Sequence, residues 1–294
     1  MGSDRRRRGK GPLMKFPDFA YARPATLSEA LSLLAEDEDA VPLAGGQSLL
    51  TMMAFRLATA TRLVDISGLA ELAAVDADAT TLRIGAAVPH ARIEDGIADD
   101  ALGRFLANAA ANIGYRAIRN RGTIGGSLAH ADPAADWPTV LAALDAQVEL
   151  ASHEGTRALA ITDFVQGEMT TDRAPGELIT SVVIPLHPSA SYGVHKIARK
   201  VGEFASAIAA AVVNEDVVRL SVGIVAGMPL ALELSCDPAD INLDARLSTT
   251  PLYRRVSDII ADGAPDASAY AAHLATIAAL HAVHGAASRT KQAA

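Results

Sequence analysis

Between Arg119 and Pro138 the chain reads RNRGTIGGSLAHADPAADWP, with adjacent glycines followed closely by His130, Asp132 and Asp136. An imidazole beside two carboxylates is a set that can move protons, and a glycine pair beside a serine is a set that can hold an anion. A shorter stretch, Ala44-Gly45-Gly46-Gln47-Ser48, echoes Thr123-Ile124-Gly125-Gly126-Ser127. In both, an apolar residue precedes Gly-Gly and a serine stands just beyond. Glycine costs about 0.5–1 kcal/mol relative to alanine in regular structure, so a pair of them marks positive φ or close approach of another group. Two readings stay open on spacing alone: two unrelated tight turns, or two concave nests of backbone N–H groups around a pyrophosphate, with the Ser48 and Ser127 hydroxyls as further donors.

Other phosphate devices are absent. The chain has neither G-x-G-x-x-G nor G-x-x-x-x-G-K-[ST], so neither a Rossmann fingerprint nor a Walker loop is present. Asp132 precedes Pro133 and reads as a turn cap. His281 and His284, with His273 two turns earlier, have helical spacing that suits a metal, but no nearby carboxylate or cysteine completes a set, so they read as helix-surface residues. Arg119 and Arg121 stand just before the second glycine pair, placed either to neutralise phosphate or to pair with acidic residues of a neighbouring subunit.

The elements that must position these residues alternate helix and strand. Thr26-Leu27-Ser28-Glu29 reads as a capping box opening a helix that carries Leu27, Ala30, Leu31 and Leu34 on one face and ends near Asp37. VPLAGG predicts a buried strand running into a glycine turn, and TRLVDIS a strand with Leu63 and Asp65 facing opposite to Val64 and Ile66. TLRIGAAV is a further strand. Leu102, Phe105, Leu106, Ala109, Ala110 and Ile113 then give the strongest helical period in the chain, in a helix that delivers the backbone to the second glycine pair. TVLAALDA predicts a short helix, while QVELAS, ELITSVVIP and VVRLSVGIVAG predict strands. A C-terminal helix spans Asp266 to His284, with Tyr270, Leu274 and Ile277 on its face. PLHPSASYG, punctuated by Pro185, Pro188 and Gly193, predicts a linker and a boundary near residue 190.

Composition bounds the partners. The 294 residues suffice for two or three compact units, at roughly 100–150 residues each. Lys plus Arg number 26 against 34 Asp plus Glu, a net charge of −8 that disfavours nucleic acid. The basic run Arg5 to Lys10 is not followed by an apolar stretch, so it reads as an extension rather than a secretory signal. No apolar run approaches the ~20 residues of a membrane span. Cys236 is the only cysteine, so this chain by itself cannot ligate a cysteine-bound iron–sulfur cluster, and a reducing cytoplasm is the expected compartment.

In PLAGGQSLLTMMAFRL, IRNRGTIGGSLAHADPAADWP, PGELITSVVIP and HKIARKVGEFASAIAAAVV, in that order and spacing, the sequence resembles the FAD-binding medium subunits of molybdenum hydroxylases, the family of the carbon monoxide dehydrogenase flavoprotein and the xanthine dehydrogenase flavin domain. The resemblance implies an α+β chain: a p-cresol methylhydroxylase-type FAD-binding fold of two subdomains, residues 14–66 and 67–188, then a C-terminal α+β domain, 189–294, with residues 1–13 as an extension. It implies that Ala44, Gly45, Gly46, Gln47 and Ser48, and Thr123, Ile124, Gly125, Gly126 and Ser127, wrap the FAD pyrophosphate, with Gln47 where relatives often have histidine. Asp136 then binds FAD hydroxyls, Lys196 contacts FAD, Ile179 packs near the flavin and Tyr192 lies against the isoalloxazine, while Val194 stands where a second aromatic is expected. The implied partners are a small subunit with two [2Fe–2S] clusters and a large subunit with the molybdenum cofactor, in a dimer of heterotrimers. This chain is then an oxidoreductase subunit passing electrons to an external acceptor, with no catalytic acid or base and no metal of its own. His130 takes a structural hydrogen bond. The competing reading is a self-sufficient flavin oxidoreductase of the same fold, and a scaffold without cofactor is disfavoured by the intact glycine pairs and Asp136.

Overall fold

The computed structural model describes residues 16–215, 217–223, 227–235 and 251–293. The basic N-terminal run and Cys236 lie outside the described residues.

Strands β1 (Ala20–Ala22), β2 (Ala40–Leu43) and β3 (Arg62–Asp65) form a parallel sheet in the order β1-β3-β2, connected through helices α1 (Leu27–Ala35) and α2 (Leu49–Ala54). Thr26 Oγ1 accepts the Glu29 N–H at 3.2 Å and opens α1 as the capping pattern requires. The Glu29 carboxylate reaches one residue further back than the usual box, to the Ala25 N–H at 2.7 Å. The two faces of β3 separate as its alternation requires. Val64 and Ile66 pack with Ala30 and Leu34 of α1, and Leu63 packs with Met53 of α2.

A five-stranded antiparallel sheet follows, ordered β4-β5-β10-β6-β7. In chain order its region contains β4 (Val75–Ala77), β5 (Thr81–Gly85), α3 (His90–Glu94), α4 (Ala101–Ala111), α5 (Arg116–Arg119), α6 (Ile124–His130), α7 (Asp136–Ala143), β6 (Gln147–Ser152), β7 (Gly155–Ala160), α8 (Ile161–Phe164), the small hairpin β8 (Val165–Gly167) and β9 (Thr170–Thr171), and β10 (Leu178–Pro185). Asp100 caps α4 by accepting the Gly103 N–H at 2.7 Å. The helix buries Leu102, Phe105, Leu106, Ala109 and Ala110 together, the stripe its periodicity predicts.

The last layers are a four-stranded antiparallel meander, β11 (Ser191–Ile197), β12 (Ala207–Asn214), β13 (Val217–Gly223) and β14 (Leu230–Ser235), backed by α9 (Pro251–Gly263) and α10 (Ala269–Ala293). One face of the meander meets α4 and α7, and the other meets α10. A strand covered on both faces reads as a continuous apolar run, which is why AIAAAVVN of β12 carries no alternation. PLHPSASYG is not a free linker throughout: β11 begins at Ser191, and Tyr192 is held in the core against Phe105. The C-terminal helix begins at Ala269, and its buried face includes Ala275, Ala278, Ala279, Ala282 and Ala286 beside Leu280 and Val283, while Tyr270 projects into solvent. Small residues there let α10 lie so close to β11 that a Cβ at Gly193 would sit 2.0 Å from the Ala282 carbonyl oxygen. Among the described residues no helix is long and apolar enough to cross a membrane.

Candidate functional site

The two glycine segments meet. Gly45 is buried against the backbone at Arg121 and Gly122, where a Cβ would lie 2.0 Å from the Arg121 carbonyl oxygen. Their conformations differ. Residues 123–127 are the first turn of α6 rather than a loop, with Thr123 as cap, and neither Gly125 nor Gly126 has positive φ. The Ile124 N–H donates to Val88 O at 3.2 Å, Gly125 N–H to Ala86 O at 2.9 Å, Gly126 N–H to Thr123 Oγ1 at 3.1 Å and Ser127 N–H to Thr123 O at 3.0 Å. Gly125 is required by packing, because a Cβ would come within 2.5 Å of the Ala86 methyl. At the second pair the amides are already engaged by the protein.

Residues 44–48 are the open half. Gly46 has φ +72, a left-handed turn that favours glycine. Gln47 Nε2 donates to Gly45 O at 3.1 Å and closes the turn, and Ser48 precedes α2 without a side-chain cap. The amides of Gly45, Gly46, Gln47 and Ser48 donate to no other group among the described residues, and neither the Ser48 nor the Ser127 hydroxyl has a partner there. Four consecutive donors without an internal acceptor are chemically suited to an anion.

Behind this junction is a rigid support. The His90 N–H donates to Gly122 O at 2.9 Å, and Trp137 Nε1 donates to His90 Nδ1 at 3.0 Å, tying α7 to the glycine junction. Burial, aided by the nearby Arg119 charge, lowers the His90 pKa to about 4, so the ring is neutral at pH 7. Arg119 pairs with both Glu94 oxygens, at 2.7 and 2.8 Å, and donates to the Ile113 and Gly114 carbonyls at 3.1 and 2.9 Å. Arg119 is thus engaged within its own chain, by a partner that neither sequence alternative named. Arg121 is exposed and makes no ion pair among the described residues.

A second feature joins Asp136, at the start of α7, to Lys196 on β11. Lys196 Nζ donates to Asp136 Oδ2 and to Asn112 O, both at 3.0 Å, and both side chains are buried. Burial raises the Asp136 carboxyl to about 6, outweighing the pull of the lysine in the opposite direction. A pocket of about 220 Å³ opens on the pair, lined by Asn108, Asn112, Val194 and His195 as well. Sequence reasoning missed the two asparagines. Their signal is the i,i+4 spacing at the polar edge of α4, which the apolar stripe overshadowed.

The remaining expected residues lie elsewhere. Tyr192 is 3% exposed, with its ring centroid 5.4 Å from that of Phe105 and its hydroxyl donating to His187 O at 3.4 Å. Ile179 is buried in the same core, paired in register with Leu150. Both are core residues here, whereas Val194 lines the pocket. His130 ends α6, and Asp132 Oδ1 accepts the Ala134 N–H at 2.8 Å as a turn cap. The C-terminal histidines do not converge: His281 stacks on His195 at 4.5 Å, His284 meets Ser288 at 3.2 Å and His273 meets the Tyr253 hydroxyl at 2.7 Å.

The chain thus combines an α+β fold with open amides at 45–48 and a buried acid–lysine pocket. Residues 17–187 match the family model described as the FAD binding domain in molybdopterin dehydrogenase. The chain is 39% identical over 208 residues to the nicotine 6-hydroxylase medium subunit of Paenarthrobacter nicotinovorans, covering 71% of this chain and 73% of that one. It is 38% identical over 223 residues to the carbon monoxide dehydrogenase medium chain of Afipia carboxidovorans, covering 73% and 77%. Among solved structures, a chain of quinoline 2-oxidoreductase from Pseudomonas putida 86 superposes with a TM-score of 0.80 at 31% identity, covering 94% of this chain and 99% of that one. The chain belongs to the family of FAD-binding medium subunits of molybdenum hydroxylases, and it is an oxidoreductase subunit.

Proposed function

We propose that this chain is the electron-transfer subunit of a cytoplasmic three-subunit molybdenum hydroxylase. It takes electrons from [2Fe–2S] clusters on a small subunit, while a large subunit with the molybdenum cofactor oxidises the substrate, and it passes them to an external acceptor. The observation that carries the reading is the run of partnerless amides from Gly45 to Ser48, pressed against the support that holds Gly122. When bound, FAD supplies the two-electron chemistry that links one-electron donors to the acceptor. The protein supplies position. The 45–48 amides and the Ser48 and Ser127 hydroxyls hold the pyrophosphate, residues 123–127 form the wall against which it rests, and the Asp136–Lys196 pair offers an acceptor and a donor to the cofactor's polar groups. Residues 14–66 and 67–188 form the two cofactor-binding subdomains, 189–294 the C-terminal domain, and the assembly is a dimer of heterotrimers.

The test is spectroscopic. The purified complex shows flavin absorbance that substrate bleaches under anaerobic conditions, while the isolated chain binds one FAD that substrate alone does not bleach. A chain that neither carries nor takes up FAD contradicts the reading. Bleaching of the isolated chain by substrate makes it a self-sufficient oxidoreductase instead.

A further inference from the structure

One donor in the support behind the glycine junction has no acceptor. Trp137 is fully buried and its indole Nε1 can only donate, so the 3.0 Å contact with His90 Nδ1 requires that nitrogen to accept. The single proton of the neutral imidazole is therefore on Nε2. His90 is 5% exposed, and its Nε2–H donates to no group among the described residues. The nitrogen is nonetheless not sealed off from solvent.

The acceptors of the neighbouring elements are taken. Both Glu94 oxygens bind Arg119, at 2.7 and 2.8 Å, and one of them also binds Arg116 at 2.8 Å. The Ile118 carbonyl oxygen accepts the Arg121 and Gly122 N–H groups at 3.1 and 2.8 Å, and the Gly122 carbonyl accepts the His90 backbone N–H. A buried N–H left without an acceptor is destabilising, so a ligand that supplies one gains from it.

Gly122 locates this donor. Its φ is not positive, so space rather than conformation calls for glycine there: a Cβ would lie 3.1 Å from His90 Nε2 and 3.0 Å from Cδ2. Gly45 packs on the same backbone, where its own Cβ would come within 2.8 Å of Gly122 Cα. One glycine thus touches both the Nε2 edge of the ring and the first residue of the open 45–48 amide run. An acceptor that satisfies the ring there belongs to the group those amides hold, and N–H donors bond anionic oxygens about twice as strongly as neutral ones.

Resting on the functional reading above and deepening it, we propose that His90 is a cofactor-binding residue: its Nε2–H donates past Gly122 to an oxygen of the FAD pyrophosphate, and Trp137 holds the ring in the tautomer this requires. The test is NMR of the full chain carrying nitrogen-15 histidine, titrated with FAD and, separately, with riboflavin, which has no phosphate. The expected result is a His90 Nε2–H signal that moves downfield and exchanges more slowly with FAD but not with riboflavin. His90→Asn keeps an acceptor for Trp137 and removes the Nε2–H, so FAD affinity, read by flavin fluorescence, should fall by about tenfold or more, as for a hydrogen bond to a charged group. Thermal unfolding of the FAD-free variant should change little. An unmoved His90 signal in the FAD-loaded chain overturns the proposal, as does an equal shift with riboflavin, which makes the flavin the acceptor. A wild-type chain that takes up no FAD defeats the functional reading itself, whereas an FAD-loaded chain with an unmoved signal defeats only this role of His90.

Discussion

Residues 45–48 present four successive amides with no internal acceptor, whereas residues 124–127, which look alike on paper, have every amide engaged by Val88, Ala86 or Thr123. Both glycine pairs precede a short helix, and they touch one another through Gly45 and Arg121. The difference lies in what each glycine avoids. Gly46 avoids the strain of a left-handed turn, while Gly45 and Gly125 avoid collision with backbone or methyl groups. One pair leaves its amides open, the other has them engaged. Glycine repetition in a sequence therefore does not mean repetition of the same backbone hydrogen bonding.

The largest effect is expected where the two halves join. Gly45→Ala places a methyl 2.0 Å from a carbonyl oxygen that cannot yield without moving the backbone, so the loss of stability should reach or exceed the usual ~1–3 kcal/mol of overpacking, with flavin content lost as well. Thermal unfolding together with the visible spectrum checks both.

Next comes the pH dependence of the support. Asp136 has a folded pKa raised to about 6, so its contribution is present at low pH and is lost as pH rises from about 4 to 6. His90 is lowered to about 4, so its contribution is present above about 6.5 and is lost as pH falls toward 4. The two slopes oppose each other, and each spans roughly two pKa units, an upper bound of about 3 kcal/mol. Urea midpoints should climb with pH across this window in Asp136→Asn and fall in His90→Gln. Identical profiles for the two variants would remove the distinction between pocket and support.

Gly125→Ala should cost about 2 kcal/mol through its contact with Ala86, with FAD affinity falling no more than the destabilisation explains. Gly46→Ala should show the reverse pattern. Strain of about 1–2 kcal/mol distorts the cradle, and FAD affinity falls at least tenfold, measured by titration with flavin fluorescence. Equal affinity losses per unit of stability in the two variants would abolish the contrast. Gln47→Ala should be the smallest change, below about 1 kcal/mol, since it removes one partly exposed bond to the Gly45 carbonyl.

Much of the fold was legible because local rules agree with tertiary ones in particular places. The Thr26 cap, the α4 stripe and the opposed faces of β3 follow from period and capping alone. The meander was harder to read, since β12 is apolar on both faces and the alanine face of α10 gives little contrast along the helix. At the site, residue types and spacing drew attention to both glycine segments, yet their hydrogen bonding was invisible because the partners of 124–126 lie on the preceding 86–88 segment or in the cap itself. Asp136 and Lys196 were named separately, and their mutual 3.0 Å contact depends on the start of α7 meeting β11, which no local pattern encodes. The packing of Tyr192 against Phe105 was not legible either, because the two residues lie on different elements.

The central claim is that the 45–48 amides, and not those of α6, take the cofactor's phosphates. Residue-resolved amide hydrogen exchange of the chain with and without FAD tests it most directly. The amides of Gly45, Gly46, Gln47 and Ser48 should exchange rapidly without FAD and slow at least tenfold on loading, while those of Ile124, Gly125 and Gly126 should be protected in both states. Unchanged exchange at 45–48 in a chain holding one FAD, or protection that appears only at 124–126, would contradict it.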